Sequence, residues 1–271
     1  MSAAARAAAL AVTVTLSWPL AARAAEPELA KHRRDLYVAL GAGALWGGLE
    51  LAKGSLAPDA CRWCARNGLD DGVREKLVWS HPKAARLSSD VLASGLLPAA
   101  AAGYFLLSGR NGPGLREGAW DVVYVTEAAM LAASLTAVVK LFVARERPFL
   151  AHGNYPEANY RPHPDDSLSF WSNHTALTFA IATSSGTIAS MRGRSEAPWI
   201  WAIGITAAST AGYLRMAGDK HYLTDVLTGA VVGTAFGVAV PRLLHGKRGG
   251  PAGQGDGLTV VPTPFGIAGT F

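Results

Sequence analysis

Arg215, His221 and Asp225 lie in one short stretch, Arg215-Met-Ala-Gly-Asp-Lys-His221-Tyr-Leu-Thr-Asp225, just ahead of an apolar run. A histidine and an aspartate four residues apart share one face of a helix. The carboxylate can then accept from one ring nitrogen and leave the other with its lone pair free, which prepares an imidazole as a nucleophile or base. Arg215 keeps its charge and matches a phosphate oxyanion in fork geometry. Histidine–aspartate pairs at this spacing also occur on helices that do no chemistry, so the pair alone does not decide the matter.

Two further stretches carry the same chemical bias. Lys140-Leu-Phe-Val-Ala-Arg-Glu-Arg147-Pro148 ends an apolar segment with two cations seven residues apart, which puts both on one helical face. Ser167-Leu-Ser-Phe-Trp-Ser172-Asn173-His174-Thr175 then opens another segment with a second histidine. In this order the three stretches resemble the signature of the type 2 phosphatidic acid phosphatase (PAP2) and vanadium haloperoxidase superfamily. That signature reads Lys-x6-Arg-Pro, then Pro-Ser-Gly-His, then Ser-Arg-x5-His-x3-Asp. The first part matches fully. The second has Trp171 for Pro and Asn173 for Gly, and the third has Leu214 for Ser. Every charged and imidazole position is kept. The resemblance covers residues 140–225 directly and, as a six-helix layout, roughly 36–244.

The resemblance implies roles for these positions. His221 would attack phosphorus and form a phosphohistidine, with Asp225 orienting it. His174 would protonate the leaving group and then activate water. Lys140, Arg147 and Arg215 would clamp the phosphoryl oxygens. The hydroxyl and N–H of Ser172 and the N–H of Asn173 would donate at the helix start. No metal and no other cofactor is expected, because fixed cations do the work of a magnesium ion. Lys140 and Arg147 could instead be interfacial snorkelling residues, and His174 an ordinary helix-start residue. Asp219 and Lys220 read as solvated loop charges. His152 and His163 read as solvated histidines of the 149–171 loop that could touch substrate. Of the departures, Asn173 keeps an N–H but adds a side chain, Trp171 offers an aromatic wall or an interface anchor, and Leu214 removes a hydroxyl beside Arg215.

The elements that must position these groups are apolar and helical. Half of the 271 residues are hydrophobic, 17% are charged, and the net charge is +5. No basic run with interleaved aromatics supports nucleic-acid binding; a basic surface beside anionic lipid headgroups suits the composition better. Residues 1–24 read as a signal peptide or an N-terminal anchor, residues 25–245 as the helical domain, and 246–271 as a flexible tail with short β-like stretches. Apolar segments fall at about 37–52, 91–107, 120–143, 174–191, 197–214 and 222–244, rich in Gly, Ala, Ser and Thr as close helix packing in a membrane requires. The expected fold is all-α, a six-helix membrane bundle of the PAP2/haloperoxidase type. A buried soluble bundle is the rival. Residues 53–90 form a polar segment holding Cys61 and Cys64, which suit a local disulfide or a pair of thiols in an exported chain.

Arg110 and Arg116, Arg192 and Arg194, then Arg242, Lys247 and Arg248 recur at alternate segment ends. The positive-inside rule puts those ends in the cytoplasm and the three signature stretches outside, facing the periplasm. A cleaved signal followed by six spans would reverse this, so either residues 1–24 remain as an anchor or segment 37–52 does not span. The expected function is metal-independent hydrolysis of a lipid phosphate or diphosphate at the outer face of an inner membrane. The expected partners are the lipid substrate and the membrane, with no nucleic acid and no obligate protein partner. Rival readings are a soluble periplasmic acid phosphatase, a vanadate-dependent haloperoxidase and a catalytically weakened lipid-headgroup binding protein.

Overall fold

Close helix contact begins with glycine. Helix α10 (Leu223–Val240) carries Gly229, Gly233 and Gly237 at intervals of four, along one face. A Cβ at these positions would collide with backbone carbonyls of Ser172, Ala176 and Ala180 on the facing chain. That chain is the entry to and body of helix α8 (Asn173–Met191), whose residues 180–189 are all buried. Small residues thus let two backbones approach where larger ones would hold them apart. The hydroxyls of α8 turn back on their own helix: Thr178, Thr183 and Thr187 donate to carbonyls four residues earlier at 2.6–2.8 Å.

The computed structural model describes residues 28–155, 159–246, 259–263 and 266–270. Among these are six long helices, with α8 at the centre. The first is α1 (Glu28–Leu51), followed by the short helices α2 (Lys53–Leu56) and α3 (Gly68–Leu77). Helix α4 (Pro82–Val91) continues through a π turn at Leu92–Leu96 into α5 (Leu97–Arg110), and α6 (Leu115–Val143) runs back. The short α7 (Pro148–Ala151) precedes α8, and α9 (Ala197–Ala217) precedes α10, which is prolonged by a π turn at Pro241–His245. Helix α8 packs on α6, α9 and α10, while α6 also meets α1 and α5. The all-helical reading of the bundle holds. The first helix starts earlier than the apolar pattern indicated, because Lys31-His-Arg-Arg34 is helical too.

Among the described residues, three helices are long and apolar enough to cross a membrane: Pro82–Arg110, Leu115–Val143 and Leu223–His245. The outward faces remain apolar, with Leu87, Leu96, Leu107, Trp199, Ile203 and Val231 all more than half exposed. So much exposed apolar surface marks contact with lipid or another apolar partner. Of the basic residues flagged in the sequence, Lys247 and Arg248 lie outside the described residues, while Arg192 and Arg194 share one end of the bundle. There Arg192 pairs with Asp121 at 2.7 Å and with Glu117 at 3.3 Å. Further along the same bundle the His245 imidazole lies between Glu127 (2.9 Å) and Asp35 (3.5 Å), stacked on Tyr124.

The segment 53–90 is not merely a polar connection. It folds into α2, α3 and α4 across the opposite end of the bundle, and Cys61 and Cys64 are joined in a disulfide. Beyond the bundle, the stretch read as a flexible tail contains two short strands, β1 (Thr259–Thr263) and β2 (Gly266–Thr270), paired antiparallel. Residues 1–24, read as a signal or anchor, lie outside the described residues.

The Gly233 contact gives a stability test. Gly233→Val is expected to cost about 1–3 kcal/mol through overpacking, measured as a lower Tm in detergent. Gly47→Ala is the control: its Cβ would meet nothing within 4 Å. It should be neutral or slightly stabilising, by helix propensity.

Candidate active site

Helix α6 ends because Ala144 takes a left-handed conformation (φ 47°), its N–H donating to Lys140 O, and Pro148 lies four residues on. The turn throws Arg145 and Arg147 inward, where both are buried, while Lys140 remains on the last helical turn. At the start of α8, Ser172 caps the helix by accepting from the Thr175 N–H at 3.4 Å and its hydroxyl at 2.9 Å. At the start of α10, Asp225 accepts from the Tyr222 N–H at 3.0 Å, the carboxylate half of a capping box. One hydrogen bond ties the two starts together, Ser172 N–H to Asp225 C=O at 3.1 Å. The sequence reading offered that N–H to a phosphate; it is instead committed to holding α8 against α10.

All eight residues singled out in the sequence converge at this end of the bundle. Lys140 Nζ donates to Leu168 O at 2.8 Å. Arg147 donates to the Lys220 carbonyl (2.8 Å), the Asp165 carbonyl (2.7 Å) and the Asp165 carboxylate (2.5 Å). Its Nη1 also stands 3.3 Å from His221 Nε2. An arginine can only donate, so His221 Nε2 is the accepting nitrogen. The neutral ring then carries its proton on Nδ1, which faces Asp225 Oδ2 at 3.5 Å. That separation is long for a hydrogen bond, and Nδ1 has no other partner among the described residues. The expected dyad is therefore present but open. His221 is pushed well below the usual histidine range, first by burial and then by Arg147, Lys140 and Arg215 around it.

Asp225 is held by groups the sequence did not single out. Arg145 donates to its Oδ1 at 2.5 Å and Ser169 Oγ to its Oδ2 at 2.5 Å. Arg145 also reaches Asp70 on α3 at 2.7 Å and Thr224 Oγ1 at 2.8 Å, and lies between the rings of Trp63 and Tyr222. Asp70 accepts in turn from the Thr224 N–H and hydroxyl. The disulfide segment closes over this network: Arg62 and Trp63 N–H groups donate to Ala144 O.

The loop before His221 is clamped from the same side. Asp219, read as a solvated charge, is fully buried; it pairs with Arg74 at 2.6 Å and accepts from Asn154 at 2.9 Å. Its positive φ of 57° is one that aspartate tolerates better than most residues. Lys220 stands over the Phe149 ring and is lowered to about 8, by burial first and then by Arg147 and Arg86. His152 bonds Asp71 at 3.0 Å and so is partnered, whereas His163 is exposed.

Two more carboxylates meet the cations. Asp165, on the 149–171 loop, bridges Arg147 and Lys53 (3.2 Å). Burial alone would raise its carboxyl, but Arg147, Lys140 and Lys53 outweigh that and hold it far below the carboxylate range. Asp90 on α4 accepts from Arg215 Nη1 at 2.8 Å and stands 2.9 Å from His174 Nε2. The three departures find physical roles. Trp171 is buried and donates from its indole to Thr136 Oγ1 at 2.7 Å, which makes it an internal anchor and not an interfacial one. Leu214 packs with Ala85, Ala217 and Leu92 under α4. Asn173 opens α8 with its side-chain oxygen buried and unpartnered among the described residues.

His174, His221, Lys140, Arg147 and Arg215 thus lie together at one end of an apolar helical bundle. Residues 121–248 match the family model of the PAP2 superfamily, so this part of the chain is similar to that superfamily. A lipid A 1-phosphatase from Porphyromonas gingivalis is 36% identical over 85 residues, which are 31% of this chain and 18% of that protein. The match thus spans under a fifth of that relative's length. Among solved structures, a transmembrane PAP2 type phosphatidylglycerolphosphate phosphatase from Bacillus subtilis aligns with 80% of this chain and 94% of its own, at 15% identity and a TM-score of 0.36.

Arg145 is testable as the support of this site. Arg145→Met leaves Asp70 and Asp225 buried without their cation and is expected to cost about 3–5 kcal/mol. Denaturation in detergent measures it. Adding Asp70→Asn should recover part of the loss, a coupling that independent sites would not show.

Proposed function

We propose that this chain is a metal-independent phosphatase that acts on a lipid phosphate or diphosphate through a phosphohistidine on His221. The observation that carries the reading is His221 Nε2, an accepting nitrogen beside Arg147 in a buried cluster of cations. Nε2 attacks phosphorus and the N–P bond forms as the P–O bond to the leaving group breaks. The departing alkoxide takes a proton from His174. A water then loses its proton to His174 and attacks the phosphohistidine, releasing phosphate and restoring Nε2. Lys140, Arg147 and Arg215 neutralise the charge that spreads over the phosphoryl oxygens, the work a metal ion does elsewhere. The Asn173 N–H and the Ser172 hydroxyl complete the anion-facing start of α8.

The three long apolar helices and the exposed apolar faces support a multi-pass membrane protein and a substrate whose chains lie in lipid. The printed activities of the relative and of the aligned structure, on lipid A and phosphatidylglycerolphosphate, are consistent with that class. Arg192 and Arg194 lie at the end away from the site, and the positive-inside rule makes this support a site that faces outward from an inner membrane.

The test is phosphate release in detergent from short-chain phosphatidic acid and a panel of lipid phosphates and diphosphates, with EDTA present. Wild type should turn over, and His221→Ala should lose at least about 10³-fold in kcat. A folded wild type that releases nothing from any of them would sink the reading, as would a requirement for added metal. The acid limb of kcat/KM supplies a second check. A depressed His221 stays unprotonated, and so nucleophilic, to lower pH than a free imidazole; the limb should lie below pH 6.5. A limb at or above that value would mean that burial and the three cations do not act on His221 as described.

A further inference from the structure

The reading just given makes His174 a general acid in surroundings that oppose its protonation. Arg215 lies on one side through their shared carboxylate, and Lys140 on α6 and His221 before α10 are close enough to interact with it. Cations so placed favour the neutral imidazole, and so does the positive end of a helix, where His174 sits as the second residue of α8. An imidazole that must arrive protonated at the leaving oxygen needs a negative charge nearby. Among the described residues, the carboxylate in contact with it is Asp90.

We infer that Asp90 is the positioning residue of the acid: it accepts from His174 Nε2, stabilises the imidazolium, and leaves Nδ1 to give its proton to the departing alkoxide. After that proton leaves, the neutral ring keeps Nε2–H toward Asp90, the tautomer that can take a proton from water at Nδ1 in the second step. The site then holds two carboxylate–histidine pairs with opposite tasks. Asp225 faces the protonated nitrogen of the nucleophile, and Asp90 faces that of the acid. Asp90 Oδ1 serves Arg215 as well, at 2.8 Å. That contact fixes the carboxylate from a second helix and ties the acid to a phosphate-clamping cation. The geometry depends on α4, whose Ala85 packs against Leu214 and Ala217 of α9. The Asp90 side chain is about half exposed, so solvent screens it and the effect belongs at the low end for an ion pair.

This inference rests on the phosphatase reading, and its test separates the two. Wild type, Asp90→Asn, Asp90→Glu and His174→Ala are compared on an alkyl phosphate, whose leaving alkoxide needs a proton, and on p-nitrophenyl phosphate, whose phenolate leaves without one. The readout is kcat/KM, which covers steps only through departure of the leaving group. Asp90→Asn should lose about fivefold on the alkyl ester, the size expected of a partly exposed ion pair, and far less on the aryl ester. The alkaline limb of kcat/KM on the alkyl ester should move down by about one pH unit. Asp90→Glu, which keeps the charge, should recover much of the alkyl rate. Asp90→Asn added to His174→Ala should cost little more than His174→Ala alone, since both remove one function. Equal losses on the two esters with an unmoved alkaline limb would overturn the inference. If Asp90→Asn does not fold by Tm in detergent, Asp90→Ser, which also removes the charge, decides by the same ratio: an alkyl-selective loss supports it and an equal loss overturns it. A wild type inactive on both esters and on the lipid panel is the different result in which the phosphatase reading itself fails.

Discussion

The approach of α10 to α8 is the constraint on which everything else at this end depends. Gly229, Gly233 and Gly237 bring one backbone against the other, and Ser172 N–H closes the contact on the Asp225 carbonyl. His221 stands just before one helix and His174 just inside the other, so the distance between the proposed nucleophile and the proposed acid follows from how closely two helix axes can lie. A hydrophobic effect cannot set that distance inside a bilayer, because lipid tails are as apolar as leucine; close packing of small residues can. The run of small residues along α8, with Ala176, Ala180 and Gly186 at intervals, therefore helps to set that distance.

Charge is the second constraint. Each of three buried arginines meets an aspartate drawn from elsewhere in the chain: Arg145 with Asp70 and Asp225, Arg147 with Asp165, and Arg215 with Asp90. Burying a guanidinium without such a partner would be prohibitive. The pairs differ in exposure. Asp70 and Asp225 are sealed in, as suits a structural clamp. Asp165 and Asp90 have side chains about one quarter and one half exposed, at the edge where a phosphoryl group would have to enter. The cations are held in place by these carboxylates before a substrate arrives, so little reorganisation remains when charge develops.

The long helices were legible because an apolar run of about twenty residues in a chain of this composition has few alternatives to a helix. The eight candidate residues could be singled out, and do converge in space, because their spacings, seven, six and four, are local and survive in a single sequence. What was not legible came from the segment 53–90. Asp70, Arg74 and Asp90 reach Thr224, Asp219 and Arg215 across separations of 154, 145 and 125 residues. No periodicity reports a contact of that kind, and a polar stretch with a short cysteine pair reads as a surface loop. Arg145 was overlooked for a related reason. It stands inside the Lys140–Arg147 spacing, where the signature leaves the residue type open, and only the left-handed turn at Ala144 aims it at Asp225.

The departures from the signature follow from the same segment and the same turn. Leu214 stands where the signature has serine because α4 lies over that part of α9, and Ala85 and Leu92 would leave a hydroxyl there among apolar groups. Trp171 replaces proline's rigidity with a buried indole bonded to Thr136 on α6, which pins the chain entering α8 by packing instead of by a fixed dihedral. Both substitutions restrain the site through neighbours that the rest of this chain supplies. Asn173 is the exception: its buried side-chain oxygen has no partner among the described residues, at the helix start beside the groups proposed to receive the phosphate. A polar atom left unsatisfied there costs stability, so it stands where a hydrogen-bond donor on an incoming substrate, such as a headgroup hydroxyl, would find an acceptor already in place.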